Sequence, residues 1–230
     1  MLQKCIFTID SLLFTICSVF DFKKAAEAQN RIASRLILNR GHSEADLIAG
    51  ADFSYHRTER LVGAVIVVQK IAGFEIVEVS DAIERVSIPY VPGFLNFREG
   101  PAFLRAFRKI KNRPEITLVD GNGIAHPRKM GLASYVGVIL DISTIGCAKK
   151  PFFPYRTPDV ERGAYTVFEN LKKEEVGVCL RTRSGVRPVF VSPGHRMDIS
   201  SARECVLSCS TFRIPEPLRT AHNLAAKLFS

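Results

Sequence analysis

Apolar positions in this chain recur with two periods, and the alternation between them marks out the elements. From Phe22 to Arg40 the residues Ala26, Ile32, Leu36 and Ile37 fall at roughly helical spacing, and Gly41 suits the end of a helix. Leu47–Tyr55 reads LIAGADFSY, a short apolar strand interrupted by one acid, Asp52. Leu61–Gln69 is a Val/Ile-rich strand and Phe74–Val79 alternates like another. The short connections between these three predict an antiparallel meander. Phe94–Ile110 returns to the helical period with Pro101 inside it. Proline is tolerated in a first turn, so the regular helix is expected to begin close to Gly100.

Ile116–Val119 then reads as a short buried strand, Leu132–Leu140 as a helix and Thr144–Ala148 as a strand. That order implies parallel neighbours joined by a right-handed crossover. Lys150–Val167 carries prolines and aromatics with no period and is expected to be a mobile loop. Val176–Arg183 and Val186–Val191 flank a Ser184-Gly185 turn as a hairpin, and two helices follow, Ile199–Cys209 and Pro215–Phe229. No repeat or low-complexity tract interrupts them. The expected fold is α/β, a mixed β-sheet flanked by helices, with residues 21–230 forming one domain.

Residues 1–20 stand apart. Cys5–Phe20 is strongly apolar, follows Lys4 and precedes a run of small residues, as in a signal peptide. Asp10 interrupts the run, which is also shorter than the ~20 residues of a membrane-spanning helix. A buried or partner-packed extension is expected, with no membrane association. The composition, 47% apolar and 24% charged, excludes a disordered chain. The 32 Lys and Arg against 23 Asp and Glu leave a net charge of +9, which fits a polyanionic partner. Six cysteines form no CxxC pair; Cys147 and Cys179 lie in strand-like runs as small hydrophobes. They point to a reducing, cytoplasmic setting and no zinc site.

Candidate chemistry concentrates between Ile88 and Lys149. A carboxylate in an apolar strand is costly unless paired or liganded. Asp52 is one such acid, and Asp120, ending the run ITLVD, is a second. On adjacent strands the two would reach one oxygen-liganded Mg2+, with Glu99 at the mouth of a helix as a third ligand. Gly121 and Gly123, around Asn122, permit close backbone approach or simply make a tight turn. His126 and His195, taken singly, are more often structural than catalytic. Lys149 follows a strand ending near the acids and would meet a phosphate, or is an ordinary surface charge. Pro89-Tyr90-Val91-Pro92 is a stiffened turn presenting one ring, either a rigid cover for the core or a wedge for the gap left by an extruded base.

Six ordered stretches decide among these readings: AGADFSY, PYVPGFLNFREGPA, LVDGNGIAHPRKMGLASYVGV, TIGCAKK, CLRTRSGVRPVFVSPGHR and RIPEPLRTAHNLA. Together, from about Gln29 to Ala225, they resemble the endonuclease V family, repair nucleases acting on hypoxanthine-containing strands. The resemblance implies an RNase H-like fold and a monomeric, Mg2+-dependent endonuclease, with Mn2+ able to substitute. Its substrate would be inosine-containing DNA, or RNA, cut at the second phosphodiester 3′ to the lesion to leave 3′-hydroxyl and 5′-phosphate ends. It implies Asp52 and Asp120 as metal ligands, Glu99 as the third acid, and Lys149 and His195 as catalytic partners for phosphate or water. Tyr90, between Pro89 and Pro92, would be the wedge. Gly93, Leu95, Gly121, Gly123 and His126 would form the base pocket. Residues 1–20 have no counterpart in the family, and 150–175 fit it only loosely. The rival readings are an RNase H-like nuclease without base selectivity and a non-catalytic nucleic-acid-binding module.

Overall fold

The structure is a computed structural model describing residues 20–39, 45–56 and 58–230; the apolar extension, except Phe20, lies outside the described residues. Helix α1 (Phe22–Ala33) begins where Asp21 Oδ1 accepts from the Lys24 N–H at 3.0 Å. It ends short of the expected Arg40 because the following turn is drawn onto the sheet. The Ile37 N–H donates to His195 Nδ1 at 3.2 Å, and the Arg196 N–H donates to the Ile37 carbonyl at 2.7 Å.

Strands β1 (Leu47–Tyr55), β2 (Leu61–Lys70) and β3 (Ile76–Arg85) form the expected antiparallel meander. β3 runs past the expected Val79, since Ser80 and Ala82 continue its buried alternation with side chains too small or polar to register as apolar. Helix α2 (Leu95–Lys109) begins a full turn before Gly100. Pro101, in its interior, removes one backbone hydrogen bond and crowds the preceding turn, a cost of about 3 kcal/mol, and tertiary contacts hold the early turn. Arg98 Nη1 donates to the Ile88 carbonyl at 2.5 Å, and Phe20 and Phe22 pack edge-on against Phe94.

Strand β4 (Ile116–Val119), helix α3 (Leu132–Leu140) and strand β5 (Ser143–Ala148) follow as expected, with β4 parallel to both β1 and β5. The stretch expected as a loop from Lys150 to Val167 instead closes into an edge strand, β6 (Tyr165–Glu169), paired with β7 (Glu175–Leu180). Only Phe168 of β6 is buried, so its apolar signal is weak. The hairpin from β7 to β8 (Val189–His195) is there, but β7 stops before the expected Arg183, and β8 starts after the expected Val186 and runs on past Val191. Arg181 draws the intervening loop inward, donating to the carbonyls of Asp159, Pro158 and Val186. Helices α4 (Ile199–Ser208) and α5 (Glu216–Ala225) complete the chain.

The eight strands make one mixed sheet in the order β3-β2-β1-β4-β5-β8-β7-β6. Its first five strands have the RNase H-like arrangement. One face packs Ala49, Ala51 and Val119 under Phe103 and Phe107 of α2 and Val136 of α3. The other packs Ile48 and Leu118 under Ala202 and Val206 of α4 and Leu218 of α5. Because strand residues alternate faces, Asp52 and Asp120 continue the second set, on the α5 side. Cys147 and Cys179 are buried free thiols in β5 and β7, the burial driving the Cys147 thiol up to about 12. Among the described residues no helix is long and apolar enough to cross a membrane.

Candidate active site

Parallel pairing of β1 with β4 sets Ala51 beside Val119, and the Asp120 N–H donates to the Ala51 carbonyl at 3.0 Å. Asp52 and Asp120 therefore stand level at the same end of two neighbouring strands, as the sequence implied. Asp52 is 6% exposed; its Oδ1 accepts from the Phe53 N–H at 2.8 Å. Burial raises its carboxyl above the ordinary range, and the charge of Asp120 raises it further.

Glu99 arrives from the opposite layer on α2 and is 8% exposed. The Tyr55 hydroxyl donates to its Oε1, and the Arg98 guanidinium lies 5.0 Å from the Tyr55 ring centre. Burial pushes Glu99 up to about 7; the Tyr55 hydrogen bond opposes this, while the charges of Asp120 and Asp52 add to it. Lys149, just past β5, donates from Nζ to Asp120 Oδ2 at 2.6 Å. Burial pulls its ammonium down, but the charge and hydrogen bond of Asp120 outweigh it and hold the group above its usual value.

The fifth member of the cluster escaped the sequence reading. His222 on α5 donates from Nδ1 to Asp52 Oδ2 at 2.6 Å while its side chain stays 60% exposed. Gly50 makes this contact possible. A Cβ there would lie 2.1 Å from the Pro217 carbonyl, so only glycine lets the start of α5 settle on β1. The stretch RTAHNLA shows a histidine beside the buried Ala221, a position with no chemical signal until the helix is docked.

His195 is not brought to the acids. It ends β8 opposite Thr144, the start of β5, whereas Lys149 follows that strand's far end, about 16 Å away at 3.3 Å per residue. Wholly enclosed, it bonds through Nε2 to Asp141 Oδ1 at 3.1 Å and accepts the Ile37 N–H at Nδ1. Asp141 also receives Arg196 at 2.8 and 2.7 Å; Arg196 first and His195 second hold its carboxyl well below the usual range. The apolar strand VFVSPGH hid this displacement, because a histidine at a strand's end reads the same whichever end of the sheet it reaches.

The proposed recognition turn lies between β3 and α2. Tyr90 is 63% exposed, with Pro89 half-buried and Pro92 exposed on either side, and Leu95 opens α2. Gly93 adopts φ +85°, a conformation that favours glycine. Its carbonyl accepts from Gln29 Nε2 at 2.9 Å, Arg128 Nη2 at 2.8 Å and His126 Nε2 at 3.1 Å. Arg128 Nε donates to Gln29 Oε1, and Gln29 Nε2 also donates to Asn96 Oδ1 at 2.7 Å. His126 Nδ1 accepts from the Arg128 and Met130 N–H groups, so both its ring nitrogens are engaged within the protein. Burial, aided by Arg128, depresses it to about 4 and keeps it neutral. Gly121 (φ +154°) follows Asp120 directly. The Gly123 N–H donates to Ser192 Oγ at 2.8 Å, and the Gly123 Cα presses against the Pro193 carbonyl.

The donor set of Asp52, Asp120 and Glu99 is all hard oxygen, and a divalent cation would relieve the repulsion by which the charge of Asp120 helps raise Asp52 and Glu99, so the residues fit Mg2+. Among the described residues no three such side chains converge in ligating geometry; Asp52, Asp120 and Glu99 turn instead to His222, Lys149 and Tyr55.

Comparison with known proteins identifies the family of the chain as a whole. The family model described as Endonuclease V matches residues 30–223. A curated endonuclease V from Methanothrix thermoacetophila is 44% identical over 206 residues, covering 89% of this chain and 90% of the relative. The crystal structure of an endonuclease V from Streptomyces avermitilis superposes with a TM-score of 0.85 at 39% identity, covering 90% of this chain and 92% of the other. An endonuclease V from Ciona intestinalis, in complex with a 24mer DNA containing an inosine followed by a ribo-adenosine, superposes with a TM-score of 0.78 at 26% identity, covering 89% and 96%. This chain belongs to the endonuclease V family, nucleases that hydrolyse phosphodiester bonds.

Proposed function

We propose that this chain is a Mg2+-dependent endonuclease, with Mn2+ as a substitute, that recognises hypoxanthine in nucleic acid. It cuts the second phosphodiester 3′ to that base, leaving 3′-hydroxyl and 5′-phosphate ends. Residues 21–230 act as one nuclease domain, monomeric and cytoplasmic. The observation that carries the reading is the meeting of Asp52 and Asp120 at adjacent parallel strand ends, with Lys149 and His222 bonded to them. The inosine-containing DNA held by the Ciona intestinalis relative supports the substrate class.

Asp52 and Asp120 would hold the cation, with Glu99 as the third acid. When bound, the cation polarises the phosphate and activates water. Lys149 Nζ balances phosphate charge, a role its raised affinity for protons suits at neutral pH. Asp52 orients His222 through Nδ1, which leaves Nε2 to take or give a proton at the attacking or leaving oxygen. His222 thus takes the role the sequence reading gave to His195. Tyr90 fills the gap left by the extruded base. Gly93, Leu95, Gly121 and Gly123 wall the base pocket, and His126 braces that wall, since neither ring nitrogen is left for the base.

The test is cleavage of end-labelled DNA and RNA oligonucleotides, with and without one inosine, by the full chain with Mg2+. A single cut one nucleotide beyond the inosine supports the proposal, and the DNA-to-RNA ratio names the preferred substrate. Uniform cutting favours a nuclease without base selectivity, and binding without cutting favours a binding module.

A further inference from the structure

The end of the sheet that carries the acids also carries a polar cleft that the steps above do not use. Thr58, Glu59 and Arg60, before β2, and Arg85, Val86 and Ser87, at the end of β3, line an open cavity of about 690 Å3. Strand register joins the two sides of this cavity, with Arg85 and Arg60 reaching it from successive register positions. Leu61 is the partner of Arg85, and the Val86 N–H donates to the Arg60 carbonyl at 2.7 Å. Both side chains are exposed, and among the described residues neither guanidinium has an ion-pair or hydrogen-bond partner. Neighbouring arginines on this layer are committed: Arg98 to the Ile88 carbonyl and the Tyr55 ring, Arg105 to Glu84. Two unpaired cations lining one cavity repel each other, and an anion between them relieves the cost.

We propose that this cleft binds a backbone phosphate of the substrate nucleic acid, outside the step that is cut. The claim rests on the nuclease reading above and extends it. Guanidinium groups match phosphate oxygens in a bidentate way, and the Thr58 and Ser87 hydroxyls supply further donors. Glu59 is the one acid in the lining and opposes the anion. The strand order β3-β2-β1-β4 places Arg85 two strand spacings, about 10 Å, from Asp52's strand and about 15 Å from Asp120's. That separation suits a phosphate a few nucleotides from the reacting one.

The experiment is a salt series of equilibrium binding, without divalent cation, between the full chain and an inosine-containing oligonucleotide. Arg60→Gln and Arg85→Gln should each weaken binding several-fold and lower the slope of log affinity against log salt by about 1. Glu59→Gln should tighten binding, which a folding defect cannot mimic. A methylphosphonate walked along the strand should weaken the unmodified protein at one position and add nothing to the loss in the double arginine variant. An unchanged slope and affinity in that double variant would overturn the proposal. So would penalties from methylphosphonate and variant that add in full. Should the double variant fail to fold, Glu59→Gln and the methylphosphonate walk on the unmodified protein decide, and the absence of both effects overturns the cleft. If the unmodified protein does not cut the inosine strand, the nuclease reading itself fails, whatever the cleft does.

Discussion

His222 Nδ1 lies 2.6 Å from Asp52 Oδ2, joining residues 170 positions apart. The pair resembles other carboxylate–imidazole pairs in which the acid fixes the ring and the free nitrogen handles a proton. His222→Ala should lower kcat by about 10²- to 10⁴-fold with folding intact. His195→Ala should instead leave kcat close to normal and lower the melting temperature, because it strips buried partners from Asp141 and the Ile37 N–H. Steady-state kinetics and thermal melts on the two variants test this. A collapse of kcat in the His195 variant without loss of stability would reverse the assignment.

Asp52→Ala and Asp120→Ala should each abolish cutting, by on the order of 10³-fold or more, while sparing much of the binding to an inosine strand. Single-turnover cleavage alongside gel-shift binding separates the two effects. Normal turnover at matched Mg2+ in either variant would refute the metal-ligand assignment.

Glu99 carries a stability signature. Its folded carboxyl holds a proton up to about pH 7, whereas its ordinary value is 4.5. Between those values the folded state binds more protons than the unfolded one, so stability falls as pH rises from 4.5 through 7. Glu99→Gln removes the buried charge and should stabilise the metal-free protein by up to a few kcal/mol at pH 8, with the gain fading towards pH 4.5. Chemical denaturation of both proteins across this range is the measurement. A stability difference that is flat with pH would show that Glu99 is ionised throughout.

Gln29 is wholly buried, and with Arg128 and His126 it overfills the Gly93 carbonyl. Gln29→Leu leaves Arg128 Nε and Asn96 Oδ1 without their partner and should cost about 1–3 kcal/mol. Because the same carbonyl anchors the turn after Tyr90, KM for an inosine strand should rise more than kcat falls. Denaturant melts and initial-rate kinetics check both parts; a change in kcat alone would detach Gln29 from the recognition turn.

Much of the candidate site was legible along the chain because its signals are local. An acid interrupting LIAGADFSY, another closing ITLVD before glycine, and prolines bracketing Tyr90 each violate the pattern around them, and such violations need no partner to be seen. Continuous apolar runs likewise marked the central strands, since β2 and β4 bury nearly every residue and β1 its middle stretch Ile48–Asp52. The edges were harder to read. The second half of β3 and all of β6 bury few large side chains, and α1 stops where His195 captures Ile37 rather than where its own pattern ends.

The sequence by itself thus determined which residues carry charge into apolar surroundings, and tertiary structure alone decided which of them meet. His195 and His222 sit on equally ordinary stretches. β8 runs antiparallel to β5 and so delivers His195 to the wrong end of the sheet, while Gly50 lets α5 lay His222 against Asp52. Strand direction and helix docking are set by contacts between distant segments, and no local pattern of residue types encodes them.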